Sequence, residues 1–117
     1  MKKILLALLM MSITLQANAE KKEEEKLQKE CDNGNSISCA KVGYEYLFVD
    51  NPKSVEFLEK SCNLKMVQSC LVLGTMYENH DDFGNDYAKA KKFYGKACDL
   101  KDQDGCKEYT KLSQKGY

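Results

Sequence analysis

The six cysteines of this chain form three pairs of identical internal spacing: Cys31 and Cys39, Cys62 and Cys70, Cys98 and Cys106. The pairs recur at offsets of 31 and then 36 residues. An even count, a constant spacing and a period in the range of helical repeats point to an array of short similar units held by local cross-links. No C-x-x-C spacing is present, and a single histidine, His80, lies in a different stretch of sequence from the pairs. Structural disulfides are therefore the expectation for these residues, with no metal site and no cofactor implied.

Thiol chemistry depends on compartment, and the first residues bear on that. Lys2 and Lys3 give a cationic start, residues 4–15 are apolar-rich and carry no charge, and Ala17-Asn18-Ala19 offers the small-x-small pattern of a signal-peptidase site. Twelve such residues are too few to span a bilayer. Residues 1–19 are thus expected to be a cleaved signal peptide, and the protein to be secreted or periplasmic with no membrane anchor in the mature chain. Cysteine pairs in such an oxidising compartment become disulfides. The mature chain, residues 20–117, keeps sixteen lysines against eighteen acidic residues and has no arginine. With no net positive field and no guanidinium fork for phosphate, nucleic acid is not an expected partner.

Aligning the pairs on their second cysteine exposes the unit. Cys39, Val42, Gly43 and Tyr46 repeat as Cys70, Leu73, Gly74 and Tyr77, spaced i, i+3, i+4, i+7 along one helix face. Glycine inside a helix costs about 1 kcal/mol against alanine, and its recurrence predicts close approach of a neighbouring helix. Aligning on the first cysteine matches Asp50 with Asp86, Phe57 with Phe93, Leu58 with Tyr94 and Lys60 with Lys96. The two aspartates read as helix starts, and Pro52 fits a first turn. The expected helices cover residues 22–31, 37–48, 53–62, 68–79, 86–98 and 104–115. The short first loop against the longer 80–85 accounts for the unequal offsets. The last copy, from Cys106, lacks the Gly and Tyr and is mostly polar, as a terminal repeat needs to be.

Leu73-Gly74-x-x-Tyr77 and Lys89-Ala90-x-x-Phe93-Tyr94-x-Lys96-Ala97-Cys98-Asp99-Leu100 resemble the Sel1-like repeat, a relative of the tetratricopeptide repeat. The cysteine pairs match its disulfide-bearing branch, the Helicobacter cysteine-rich proteins. The resemblance covers almost the whole mature chain, with two complete repeats and no Gly-x-Gly turn in the first. It implies an all-α, right-handed α/α superhelical solenoid. The units would be a half repeat at 20–36, repeat 1 at 37–67, repeat 2 at 68–103 and a C-terminal half repeat at 104–117. Sequence alone does not choose among the connectivities of six cysteines. The repeat logic selects Cys31–Cys39, Cys62–Cys70 and Cys98–Cys106, each joining the end of one unit's second helix to the start of the next unit's first.

Repeat arrays bind protein or peptide partners along extended concave surfaces. Tyr44 and Glu45, with Thr75 and Glu78 one repeat on, lie off the glycine face and are the candidate groove residues. The same resemblance carries a β-lactamase association, and with it a β-lactam or peptidoglycan-like ligand. Ser38-Cys39-Ala40-Lys41 does read S-x-x-K, but the S-D-N and K-T-G companions are missing, and Ser38 reads as a first-turn helix residue beside a disulfide. Asp81, Asp82, Asn85 and Asp86 lack the alternating ligands and closing glutamate of a calcium loop, and read as a solvated loop with a helix cap. Residues 21–26 read as a solvated helix face, and most of the seven tyrosines as packing residues.

Overall fold

Asp50 and Asp86 do start helices: their carboxylates accept from the backbone N–H of Lys53 (3.1 Å) and Lys89 (3.0 Å). Asn35 and Asp102 cap two more through Ser38 N (3.1 Å) and Gly105 N (2.8 Å). Each such cap contributes about 1 kcal/mol. In the computed structural model, which describes residues 2–117, the helices are α1 (Lys2–Asp32), α2 (Ser36–Glu45), α3 (Asn51–Asn63), α4 (Val67–Asn79), α5 (Tyr87–Asp99) and α6 (Gln103–Gln114). A 3-10 turn, Asp81–Phe83, precedes α5, and no strand occurs among the described residues. The chain is all-α and repeat-like.

Two boundaries depart from expectation. The second helix stops at Glu45 and not near residue 48, because Phe48 takes a left-handed φ of 65° and its N–H turns to the Asn51 side chain (3.0 Å). The first helix begins at Lys2 and not near residue 22. Residues 2–23 of it are exposed throughout. This projecting helix helps to explain a radius of gyration of 18.9 Å, against about 13 Å for a compact chain of this length.

The strongest packing is between helices consecutive in sequence, so the core grows along the array. One cluster joins Leu27, Val42 and Phe57 around Cys31 and Cys39. A larger one joins Leu58, Leu73, Met76, Phe93, Tyr94 and Leu112 around Cys62 and Cys70. The expected glycine contacts are present. A Cβ on Gly43 would lie 2.7 Å from Leu58 Cγ, and one on Gly74 would lie 2.6 Å from the Tyr94 ring. Leu58 and Tyr94 are the residues that the repeat alignment matches. The polar reading of the last copy needs one correction: Leu112 of α6 is fully buried.

All three disulfides join the expected partners, with Cα separations of 4.6, 4.8 and 4.4 Å in chain order. Each closes a helix-to-helix turn of the same build. The backbone N–H of Asn35, Met66 and Asp102 reaches back to the carbonyls of Glu30, Ser61 and Ala97, which is the six-to-one bond of a Schellman closure. The residue before it, Gly34, Lys65 or Lys101, is left-handed with φ of 94°, 71° and 70°. Closing a loop of this size contributes about 2–3 kcal/mol per bridge in the chain-entropy model.

Two outcomes follow for denaturant unfolding. A Cβ on Gly105 would lie 2.7 Å from Ala97 Cβ and 3.0 Å from main-chain atoms of Cys98 and Tyr94, none of which can rotate away. Gly105→Ala therefore loses about 1–3 kcal/mol, despite alanine's better helix propensity. Lys65→Gly instead gains about 0.5–1 kcal/mol, because it relieves a left-handed lysine; an unchanged or lower midpoint would contradict that account.

Candidate functional site

The first helices of the units, α2, α4 and α6, each begin one turn before the second cysteine of a pair. Their glycine or small-residue faces turn inward, which leaves the off-face positions to solvent. Thr75 and Glu78 come together there, in a groove of about 370 Å³ shared with Leu71, Asn79, Tyr94, Asp104, Glu108 and Lys111. The missing Cβ of Gly74 lets the Tyr94 ring cross α4, and the phenol then surfaces in this groove. Its hydroxyl donates to Glu78 Oε2 (2.8 Å) and lies 3.3 Å from Thr75 Oγ1. Thr75 itself donates back to Leu71 O (3.0 Å). In the preceding unit Leu58 stands where Tyr94 stands, so nothing equivalent reaches out beside Tyr44 and Glu45.

Those two candidates separate from the others. Glu45 lines a recess of about 520 Å³ with Ala17, Glu20, Lys21, Glu23 and Glu24 of α1. Tyr44 is exposed and belongs to neither lining. In the recess Glu24 Oε1 takes hydrogen bonds from Tyr46 Oη, from Gln28 Nε2 (2.7 Å) and from Lys53 Nζ (3.1 Å). The Lys53 ammonium sits 4.0 Å from the Tyr46 ring centroid. The Tyr46 bond, with that of Lys53 behind it, holds the Glu24 carboxyl below its ordinary range.

Both concavities are acidic. The α4–α6 groove offers Glu78, Asp104 and Glu108 against Lys111, and Lys111 is itself 3.3 Å from Glu108. Asp104, Glu108 and Lys111 were not among the expected site residues, although their i, i+4, i+7 spacing places them on one face of α6. Tyr94 matches Leu58 in the repeat alignment. It is buried, yet its hydroxyl faces the groove.

The remaining candidates resolve into local roles. Ser38 is 3% exposed, and its hydroxyl donates to Glu30 Oε2 (2.6 Å). Lys41, the other half of the S-x-x-K match, points to solvent. Asp86 caps α5, and Asn85 Nδ2 donates to Asp81 Oδ1 (2.7 Å). His80 lies edge-on to Phe48 and Phe83, at centroid distances of 5.3 and 6.4 Å.

Burial pushes the Tyr94 phenol up to about 12, with its bond to the Glu78 carboxylate acting in the same direction. A raised folded-state pKa means that the stabilisation is complete below the unfolded value, about 10, and is lost as pH rises through 12. Unfolding midpoints should therefore fall between about pH 10 and 12. Tyr94→Phe should flatten that fall while losing about 1 kcal/mol at neutral pH. An equally steep alkaline fall in Tyr94→Phe would place its cause elsewhere.

No family model matches the chain. A stretch of 30 residues is 57% identical to an uncharacterized protein of Haemophilus influenzae; it makes up 26% of this chain and 58% of that relative's length. The match thus spans less than two thirds of the relative.

Proposed function

We propose that the chain is an exported Sel1-like repeat scaffold that binds a protein or peptide along the groove between α4 and α6. The observation that carries this reading is the groove itself. Its wall residues Thr75 and Glu78 occupy the off-glycine positions of the repeat, and Asp104 and Glu108 continue the wall on the next first helix. In this reading the helices form two complete repeats and two half repeats of a right-handed superhelix. Three acids against one lysine favour a segment bearing lysine or arginine side chains. Cross-linking each junction limits the ordering that binding would otherwise require.

Export is part of the same proposal. Three disulfides fit an oxidising compartment, and no helix among the described residues is long and apolar enough to cross a membrane. The apolar side chains of residues 4–15 stand in solvent, so cleavage after Ala19 would remove exposed surface and leave the core clusters intact. The β-lactamase reading gains no support from Ser38, whose hydroxyl is buried and engaged. Penicillin-type β-lactams also carry a carboxylate, which this groove would repel.

A photo-activated cross-linker at Thr75 tests the proposal, with the same group at the exposed junction residue Lys65 as control. Export-fraction proteins should yield a discrete adduct from Thr75 and none from Lys65. Glu78→Lys should abolish that adduct while leaving the helical signal unchanged. Equal labelling from both positions would overturn the groove assignment. Lactam hydrolysis that co-purifies with the chain and survives Ser38→Ala would turn the reading towards an enzyme.

A further inference from the structure

We propose that the Cys98–Cys106 bridge is a thiol-exchange site, open in the folded protein to attack by a small thiol such as glutathione. The three bridges share their spacing and their turn but differ in access. Each spans a sequence separation of eight, each closes the same kind of helix-to-helix turn, and each places its second cysteine in the first turn of the following helix. Their surroundings differ. Cys31, Cys39, Cys62 and Cys70 are 3, 0, 3 and 0% exposed and lie inside the two core clusters. Cys98 and Cys106 are both partly exposed and belong to neither cluster. Their bridge forms one wall of an open recess of about 570 Å³, with Asp99, Lys101 and Gln103. That volume suits a ligand of tripeptide size.

The exchange runs in two balanced steps. A thiolate attacks the Cys98 sulfur, forming a mixed disulfide as the Cys98–Cys106 bond breaks, and Cys106 leaves as a thiolate. Cys106 is the better leaving group because it sits in the first turn of α6, whose amide dipoles favour an anion. A second thiol then attacks the mixed disulfide. It leaves as the oxidised thiol dimer, so that two electrons have passed to the protein and Cys98 is also reduced. The same steps are chemically available to the other pairs, but no thiolate reaches them without unfolding.

The test is a time course of the oxidised full chain in reduced glutathione, quenched by acid and alkylation and mapped by peptide mass spectrometry. Alkylation and glutathione adducts should appear at Cys98 and Cys106 at least about tenfold faster than at the other four cysteines. In denaturant the three pairs should converge, since their loops are equal in length. Simultaneous reduction of all three pairs in the native protein would overturn the proposal, as would earlier reduction at either buried pair. A lead for Cys98–Cys106 that persists undiminished in denaturant would also overturn it, because the preference would then lie in local chemistry and not in access.

Discussion

The contact on which the array depends is the pairing of the residues that precede the two cysteines of each junction. Glu30 meets Ser38 through a 2.6 Å hydrogen bond and Ser61 meets Ser69 at 2.7 Å, while Gly105 lies so close to Ala97 that a Cβ would fall 2.7 Å from the alanine's. The chemistry changes from charged to neutral to apolar, but the crossing is the same. At the central junction Ser61 donates to Ser36 O (2.9 Å), which leaves Ser69 to donate to Ser61, so both buried hydroxyls are satisfied. A buried hydroxyl left unpaired would cost about 1–3 kcal/mol. The disulfide one residue later then closes over a crossing that is already specified, and the left-handed residue with its six-to-one bond sets where the next helix begins.

From that start the helix carries its own register. Four residues past the second cysteine comes Gly43 or Gly74, and the absent side chain admits Leu58 or Tyr94 from the next helix. Only the second choice has a polar end. The Tyr94 ring fills the same hole as the leucine and passes beyond it, so a packing residue also forms the floor of the α4–α6 groove. Core and candidate site are therefore coupled through one side chain, and a change at Gly74 would disturb both.

The positions of α3 to α6, the Asp50 and Asp86 caps, the glycine contacts and the disulfide partners were readable from the repeat, because each is a local or repeat-periodic property. Asp50, Asp86, Gly43, Gly74 and the six cysteines carry them in the residue itself. The start of α1 and the end of α2 were not readable in this way. The groove was only half readable. Thr75 and Glu78 follow from the repeat, but Asp104, Glu108 and Lys111 enter through α6, whose polar sequence resembles a solvated cap. Tyr94 and Leu112 show the difficulty from two sides: an aromatic on a packing position can still present its hydroxyl outward, and one leucine in a polar helix can be fully buried. Nor does the alignment separate Tyr44 from Glu45, since adjacent residues on a helix diverge by about 100° and only one of them meets α1.

The N-terminal end is held differently from the rest. Where α3 places Val55, α1 places Glu24 at the same distance from its cysteine, and an ionic cluster stands in for an apolar contact. Glu24 ties three helices at once, taking Tyr46 from the end of α2 and Lys53 from α3 while Gln28 braces it within α1. Its carboxyl is held below the ordinary range, first by Tyr46 and then by Lys53. The stabilisation is thus present above the unfolded-state pKa and is lost as pH falls through the lower folded-state value. Leu27 and Cys31 are the buried residues of α1 and the Cys31–Cys39 bridge joins it to α2; the Glu24 cluster adds a partly exposed tie to α3. Acid would weaken the Glu24 tie, whereas the Ser61–Ser69 pair at the central junction and the Ala97–Gly105 contact at the last carry no carboxylate to titrate. The stack thus has an acid-sensitive tie at its N-terminal end and an alkali-sensitive phenol, Tyr94, at the groove.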